Sequence, residues 1–487
     1  MNQPDPEPEL NGPDNPLGRS VLRGGSVLAA GTLIERLARF GRNMVLTRII
    51  APDQFGLMAI VLATIGLFEA ITEVGVSQAV IQNKRGHLPE FLNVAWWINT
   101  VRGLAIFAVA APLSPLIAGF YSQPPLTPIL IVAFSSLIFT GMTSPKVYAL
   151  QRQFRFGESV AITQGAGLLG TVLTLVLGVL WQNVWALVVG TVFEAFMRFV
   201  LSFVLCPIRP SFRIDKQSRR DLFAFMKGML GLAFMTFLVS QADIFVLGRV
   251  VSTRVLGLYS MAVTLAMFPQ SLFAKIVQPL VVPILTAFQD SDDQMRAAYL
   301  RLERLVWLFG LPMAATMMVA AAPLLTVVYG RPYAAVAVPF GIIAIYSVVY
   351  MASMVSFSVY LAMARPELQR SFTLLRGLLL VAAIYPLAVA FGPVGAASAM
   401  LGALALAMLL QIHNLKRIIG LGYVEYLGTL RAGVVAGLAT AALTWLVGLL
   451  DIPLLAGAAL AGLVLLAVWG VLLFRERAGF RALRAGK

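Results

Sequence analysis

Glu35, Arg36, Arg39 and Arg42 crowd one apolar stretch, GTLIERLARFGRNMVLTRII from Gly31, and interrupt a run otherwise apolar enough to enter a bilayer. On a helix turning about 100° per residue, Glu35, Arg39 and Arg42 fall within roughly 60° of one another, with Arg36 on the flank of the same stripe. An ionisable group near mid-bilayer costs about 2.5 to 3.5 kcal/mol on insertion scales, so one that persists faces a partner or a cavity. Glu35 and Arg39, at i and i+4, are spaced to neutralise each other. Three arginines against one glutamate still leave a net positive face, which is the chemistry of a water-filled cavity that attracts an anion. Arg102 in the third apolar run and Lys275 in the eighth extend the cationic set. Glu69 and Glu73, again at i and i+4, and the polar residues Gln241 and Asp243 form an acidic counterpart, while Glu194 and Arg198 are spaced to pair on one helix face. Lys227, Arg376 and Arg431 fall within about a turn of expected helix ends, where long side chains snorkel to the interface.

The elements that must position these groups are membrane spans. Of 487 residues, 59% are hydrophobic and 12% charged, and the mean hydropathy is +0.85; soluble domains carry about 25% charged residues. This composition excludes a globular enzyme, a disulfide scaffold and a disordered binder. The formal charge of +15 falls between apolar runs, where the positive-inside rule places it, so it gives no reason to expect nucleic acid. One cysteine, Cys206, and two histidines, His87 and His413, leave no metal-binding cluster to expect. There is no G-x-x-x-x-G-K-[ST] run for a P-loop and no loop long enough for a catalytic domain, so the chain reads as neither an ATPase nor an enzyme, with no cofactor.

Apolar stretches of spanning length follow one another from residue 24 to residue 474 and divide into fourteen expected helices. Among them are 55–82 as the second, 126–150 as the fourth, 255–287 as the eighth, and 372–390 and 394–414 as the eleventh and twelfth. Alternate connections are basic: Lys84 and Arg85; Arg152 and Arg155; Arg209 to Arg220; Arg296 and Arg301; Arg365 and Arg370; Lys416 and Arg417. Apart from Arg254 and Arg331, the intervening ones lack lysine and arginine, which places both termini in the cytoplasm. Residues 1–20, rich in proline and acid at the start, read as a disordered cytoplasmic tail. Pro269, Pro279 and Pro283 should bend the eighth helix.

An internal echo organises the rest. LTRIIAPDQFGLMAI from Leu46 aligns without gaps on LGRVVSTRVLGLYSM from Leu247, at an offset of 201 residues. The expected fold is therefore an all-α integral membrane protein. Two parallel six-helix lobes, 21–206 and 223–417, flank a central cavity and are joined by a basic linker at 207–222; two further helices and a basic tail occupy 418–487.

The segment after helix 1, the run QADIFVLGRVVSTRVLGLYSMA from Gln241, ALQRQFRF from Ala149 and FGPVGAASA from Phe391 together resemble the polysaccharide (Wzx-type, PST-branch) flippases of the multidrug/oligosaccharidyl-lipid/polysaccharide exporter superfamily. The resemblance implies an alternating-access carrier in the bacterial cytoplasmic (inner) membrane. Its cargo would be an undecaprenyl-pyrophosphate-linked oligosaccharide, moved to the outer leaflet and coupled to H+ or Na+, with a polysaccharide polymerase and export machinery as partners. Arg36, Arg39, Arg42, Arg102 and Lys275 would then bind the pyrophosphate, since arginine meets phosphate bidentately. Glu35, Glu69, Glu73 and Asp243 would serve ion coupling. A multidrug cation antiporter or a lipid II flippase of the same superfamily, and a membrane glycan polymerase or ligase, are the competing readings.

Overall fold

A computed structural model describes residues 16–73, 75–152, 156–229, 232–450 and 452–484, with the side chains of 16–26, 227–233 and 476–484 left aside. Residues 1–15 of the expected tail, Arg155 and the side chain of Lys227 thus lie outside the described residues. Every regular element described is helical. The first nine are α1 (Pro16–Ile49), α2 (Pro52–Thr72), α3 (Val76–Gln82), α4 (Pro89–Phe120), α5 (Leu126–Met142), α6 (Lys146–Arg152), α7 (Phe156–Trp181), α8 (Val184–Leu205) and α9 (Lys216–Met229). They are followed by α10 (Leu232–Val250), α11 (Thr253–Ala266), α12 (Phe268–Leu272), a π-helical turn (Phe273–Val277), α13 (Gln278–Thr286), α14 (Asp292–Val319) and α15 (Ala321–Tyr329). A 3-10 turn (Arg331–Val336), α16 (Ala337–Ala362), α17 (Glu367–Ile419), α18 (Tyr423–Gly448) and α19 (Leu454–Arg484) complete the chain.

Among the described residues, ten helices are long and apolar enough to cross a membrane, or eleven if the pair α5 and α6, bent by 55°, is one span. That count is smaller than the expected fourteen because the eleventh and twelfth runs lie in one helix and because α1, with its charged residues, and α10 are not among the helices long and apolar enough. Other expected runs are broken without being lost. The second run ends as a helix at Thr72 and restarts at Val76 after Gly75, whose φ of 69° is left-handed. The eighth run breaks at its prolines into α11, α12, the π-helical turn and α13. The eleventh and twelfth lie within the 53 residues of α17, interrupted at Gly392, where φ is 56° and ψ is −133°. Only glycine reaches that conformation without strain, and Pro393 follows at the restart, which gives the FGPVG sequence its local meaning. α1 begins at Pro16, within the stretch expected as tail.

The chain divides into two compact units. Unit 1 comprises 1–43, 65–119 and 123–234; unit 2 comprises 44–64, 120–122 and 235–487. The repeat is visible in the helix boundaries of unit 2. α1 ends at Ile49 and α10 at Val250, α2 starts at Pro52 and α11 at Thr253, all at the offset of the sequence repeat. The two copies meet. A Cβ on Gly56 would lie 1.9 Å from the Thr253 carbonyl oxygen, and one on Gly257 would lie 1.8 Å from that of Pro52. Pro52 and Thr253 are themselves aligned positions, so the contact has local two-fold symmetry and each glycine admits the other helix's backbone.

In unit 1 the basic linker is clamped to α4. Asn93 Nδ2 donates to the carbonyls of Ser211 (3.0 Å) and Arg213 (2.9 Å), its Oδ1 accepts from Ser211 N (2.8 Å), and Trp97 Nε1 donates to Ser211 O (2.8 Å). Asp215 closes the clamp by accepting from Ser218 N (2.7 Å) and Oγ (2.6 Å) and pairing with Arg85 at 3.3 Å.

Two outcomes follow from this packing. Gly257→Ala should lower the unfolding midpoint measurably, with overpacking worth about 1 to 3 kcal/mol, because the clash is with backbone; a melting curve in detergent checks it, and Gly402→Ala, where nothing lies within 4 Å of the added Cβ, is the control. Ser218 and then Arg85 hold the Asp215 carboxyl below the usual aspartate range. The clamp is therefore fully made above the ordinary value of 3.8 and is lost as pH falls through the lowered one. Hydrogen exchange at Ser218, whose amide donates to Asp215, should accelerate only in strong acid, and in Asp215→Ala should be fast above that range as well, while Ser211, held by Asn93, is unchanged.

Candidate functional site

The ionisable groups of the first apolar run find partners on α1 itself and on α8 of unit 1. Arg39 Nε donates to Glu35 Oε1 at 2.8 Å, as the i, i+4 spacing predicts, and Arg39 Nη2 donates to Glu194 Oε1 of α8, also at 2.8 Å. That same Glu194 oxygen accepts from Arg198 Nη2 at 2.8 Å. Arg42 places Nε and Nη2 on Asn43 Oδ1, at 3.1 and 3.0 Å, and lies within electrostatic reach of Arg39 and Glu194. Arg36 is half-buried on the same helix. The third helix of the cluster, α7, leaves room for it: a Cβ on Gly167 would stand 2.8 Å from Glu35 Oε1 and 3.1 Å from Arg39 Nη2, and one on Gly170 would stand 2.7 Å from the Glu194 Cβ.

Arg102 of α4 extends the cluster. Its Nη1 donates to the Thr72 carbonyl and to Glu73 Oε2, both at 3.2 Å. Glu73 is not a helical i+4 partner of Glu69, as expected from spacing, because α2 has already ended; instead Glu73 Oε1 accepts from Gly75 N at 2.9 Å and caps the break. Glu69 lies within electrostatic reach of Arg102, Arg198 and Glu73. Unit 1 therefore holds a charge network of Arg39, Arg42, Arg102 and Arg198 with Glu35, Glu69, Glu73 and Glu194, and Arg36 lies half-buried on the same helix as Arg39. With Arg36 counted, these named groups are five cations and four anions, which corrects the strongly positive face that α1 alone suggested: Glu194, Glu69 and Glu73 supply what α1 lacks.

Unit 2 holds the remaining candidates. Lys275 is in the π-helical turn between α12 and α13. Asp243 of α10 is 2% exposed, and its Oδ2 accepts from Tyr259 Oη at 2.9 Å. Arg376 does not snorkel. It is 8% exposed, donates from Nη2 to Tyr346 Oη at 2.5 Å, and stands 5.8 and 5.1 Å from the ring centroids of Tyr346 and Tyr350. Arg431, by contrast, is exposed as expected. A cavity of about 370 Å³ opens between Asp243 and Arg376 and is lined also by Gln241, Ser260, Gln270 and Tyr350. Sequence reasoning missed Glu303 altogether. It is fully buried on α14 and accepts from Tyr426 Oη of α18 at 3.0 Å. Set in the run RLER between Arg301 and Arg304, it reads locally as a charged helix end, so the sequence holds no signal of its burial.

Solved structures show the same fold. A lipid II flippase, MurJ, in an inward closed conformation superposes with a TM-score of 0.75 at 14% identity, over 92% of this chain and 99% of that one. An inward-facing multidrug resistance MATE family transporter of the MOP superfamily gives 0.61 at 13% identity, over 79% and 94%. The architecture is thus that of a multi-pass membrane protein with the MOP transporter fold. The family model described as polysaccharide biosynthesis protein matches residues 45–339, more than half of the chain, and the chain belongs to that family. Similar relatives include an uncharacterized membrane protein in the cps region of Klebsiella pneumoniae, 24% identical over 83% of this chain and 84% of its own length. The lipopolysaccharide biosynthesis protein WzxC of Escherichia coli K12 is 23% identical over 84% of both chains.

Glu194 bridges two arginines and Glu35 serves one, so the two carboxylates should differ in worth. Glu194→Gln should destabilise the protein by about 3 kcal/mol, in the range found when one partner of a buried ion pair is removed, and Glu35→Gln by less than half of that. Comparison of their melting midpoints in the same detergent checks the order; equal losses would contradict the bridging geometry.

Proposed function

We propose that this protein is a flippase that carries an undecaprenyl-pyrophosphate-linked oligosaccharide repeat unit from the cytoplasmic to the outer leaflet of the bacterial inner membrane, with both termini cytoplasmic. The observation that carries the reading is the arginine network of unit 1, in which Arg39 of α1 pairs with Glu194 of α8, a helix long and apolar enough to span a bilayer, in a chain of the polysaccharide biosynthesis family. A further relative adds support: a succinoglycan biosynthesis transport protein, ExoT, of Rhizobium meliloti is 22% identical over 62% of both chains.

The chemistry follows from exchange of partners. A pyrophosphate brings charge into a low-dielectric region, and guanidinium groups offset it while donating two parallel hydrogen bonds to each phosphate. Arg36, Arg39, Arg42 and Arg102 of unit 1 supply those donors. For Arg39 to turn toward phosphate it must loosen its bonds to Glu35 and Glu194. A carboxylate so released is free to take a proton or a sodium ion, and Glu35, Glu69 and Glu73, which face the arginines of unit 1, are the candidates. Substrate binding and cation binding would thereby be linked through the same ion pairs. The carboxylates that balance the arginines are also what an organic-cation antiporter requires, so transport assays must separate the two.

Arg39→Lys keeps the charge and can still pair with Glu194, but loses the fork that grips phosphate. In cells lacking the native copy it should leave protein levels intact, reduce surface polysaccharide about tenfold, and cause lipid-linked repeat units to accumulate on the cytoplasmic leaflet. Delivery at the normal rate would remove Arg39 from the mechanism. In proteoliposomes, a lipid-linked unit should drive H+ or Na+ movement that an organic cation does not; the reverse pattern favours the antiporter.

A further inference from the structure

The cavity of unit 2 has a composition that the pyrophosphate reading does not use. Arg376 is buried in a spanning helix, yet among the described residues its contacts are a phenol and two aromatic faces, and its Nε has no hydrogen-bond partner. Tyr346 and Tyr350 lie nearly parallel, 5.9 Å apart with 23° between ring planes, and hold the guanidinium against them. A cation kept in a low-dielectric region with only cation–π contacts and one phenolic acceptor is incompletely compensated. The same cavity is lined by Asp243, one of whose oxygens is taken by Tyr259 while the other has no partner, and by the uncharged polar groups of Gln241, Ser260 and Gln270. Its volume, about 370 Å³, is that of a small-molecule site.

We propose that this cavity is a sugar subsite specific for a carboxylate-bearing hexose, such as a uronic acid, within the oligosaccharide cargo. The proposal rests on the flippase reading for the identity of that cargo. Arg376 takes the sugar carboxylate, and Asp243, Gln241 and Gln270 take ring hydroxyls. The Tyr350 ring offers an apolar face of the kind on which pyranose C–H groups pack. Charge decides between this ligand and a phosphate. The site carries one guanidinium and one carboxylate, so a singly charged polyhydroxy ring leaves a single net negative charge, with its carboxylate on Arg376 and its hydroxyls donating to Asp243. A pyrophosphate would bring more than one negative charge beside Asp243 with no second cation lining the cavity to meet it.

The full-length protein in nanodiscs, observed by saturation-transfer NMR with methyl glucuronide, methyl glucoside and inorganic pyrophosphate as probes, tests this directly. The glucuronide should bind the wild type about tenfold or more tightly than the glucoside, as loss of a charge-assisted hydrogen bond implies. Arg376→Gln should abolish that preference and leave the glucoside unchanged, and pyrophosphate should not displace the glucuronide. Equal glucuronide binding by wild type and Arg376→Gln, or displacement by pyrophosphate at equal concentration, overturns the proposal. Should Arg376→Gln fail to elute as a monodisperse folded species, Ser260→Leu, which fills the cavity and keeps every charge, carries the test: it should lose the glucuronide, and retained binding overturns the assignment. Because the probes are free sugars, failure here leaves lipid-linked translocation to its own assay with Arg39→Lys, and failure of that assay leaves the sugar binding as measured.

Discussion

A charge in hydrocarbon must be met by another charge or by hydrogen bonds, and the two units meet that requirement differently. In unit 1 the answer is ionic. Glu194 joins Arg39 to Arg198, Glu35 shares Arg39, and Arg102 reaches Glu73. In unit 2 three buried ionisable groups are each held by a tyrosine hydroxyl: Asp243 by Tyr259, Glu303 by Tyr426 and Arg376 by Tyr346. A phenol can donate to a carboxylate or accept from a guanidinium, so one residue type serves both signs. It satisfies a hydrogen bond without cancelling a charge. The ionic network is therefore self-compensated, whereas Asp243 and Arg376 keep a field that an arriving ligand can use.

Close approach of backbones makes both arrangements possible, and glycine is the means. Gly167 and Gly170 bring α7 against the side chains of Glu35, Arg39 and Glu194, and Gly56 and Gly257 let α2 and α11 touch carbonyl to Cα. In lipid, helix association depends on packing and on interhelical hydrogen bonds, because water is not there to drive apolar faces together. Small residues at these crossings thus set the distances on which the ion pairs depend. The duplicated segment shows how this arises: one sequence pattern, used twice, supplies both sides of the same contact.

Much of the architecture was legible because hydropathy and loop charge are local. The all-helical membrane fold, the proline breaks between Pro269 and Pro283, and the repeat between Leu46 and Leu247 all follow from residues near one another in the chain. The i, i+4 pairs Glu35–Arg39 and Glu194–Arg198 were legible for the same reason, and both form. What the sequence hid was the partner choice between distant segments. Arg39 and Glu194 are 155 residues apart, and nothing local signals that the excess charge of α1 is met on α8. The Glu69 and Glu73 spacing misled because Gly75 in a left-handed conformation ends the helix before periodicity applies. Arg376 misled because distance from an expected helix end stands in for depth only when the end is placed correctly, and α17 already begins at Glu367, about two and a half turns earlier.

The near balance of charge in unit 1 also bears on what a carrier needs. A strongly cationic site would bind a pyrophosphate tightly in every state, and an equilibrium shifts only by the difference between affinities in two states, whatever their absolute size. Arginines already engaged by glutamates must give up those bonds to receive phosphate, so the net gain on binding is smaller than the gross attraction. On the proposed mechanism the released carboxylates would take up a cation, and re-formation of the Arg39 pairs with Glu35 and Glu194 would favour departure of the cargo and expel that cation. A near balance of charge would thus serve both entry and release, which a set of unpaired arginines would not.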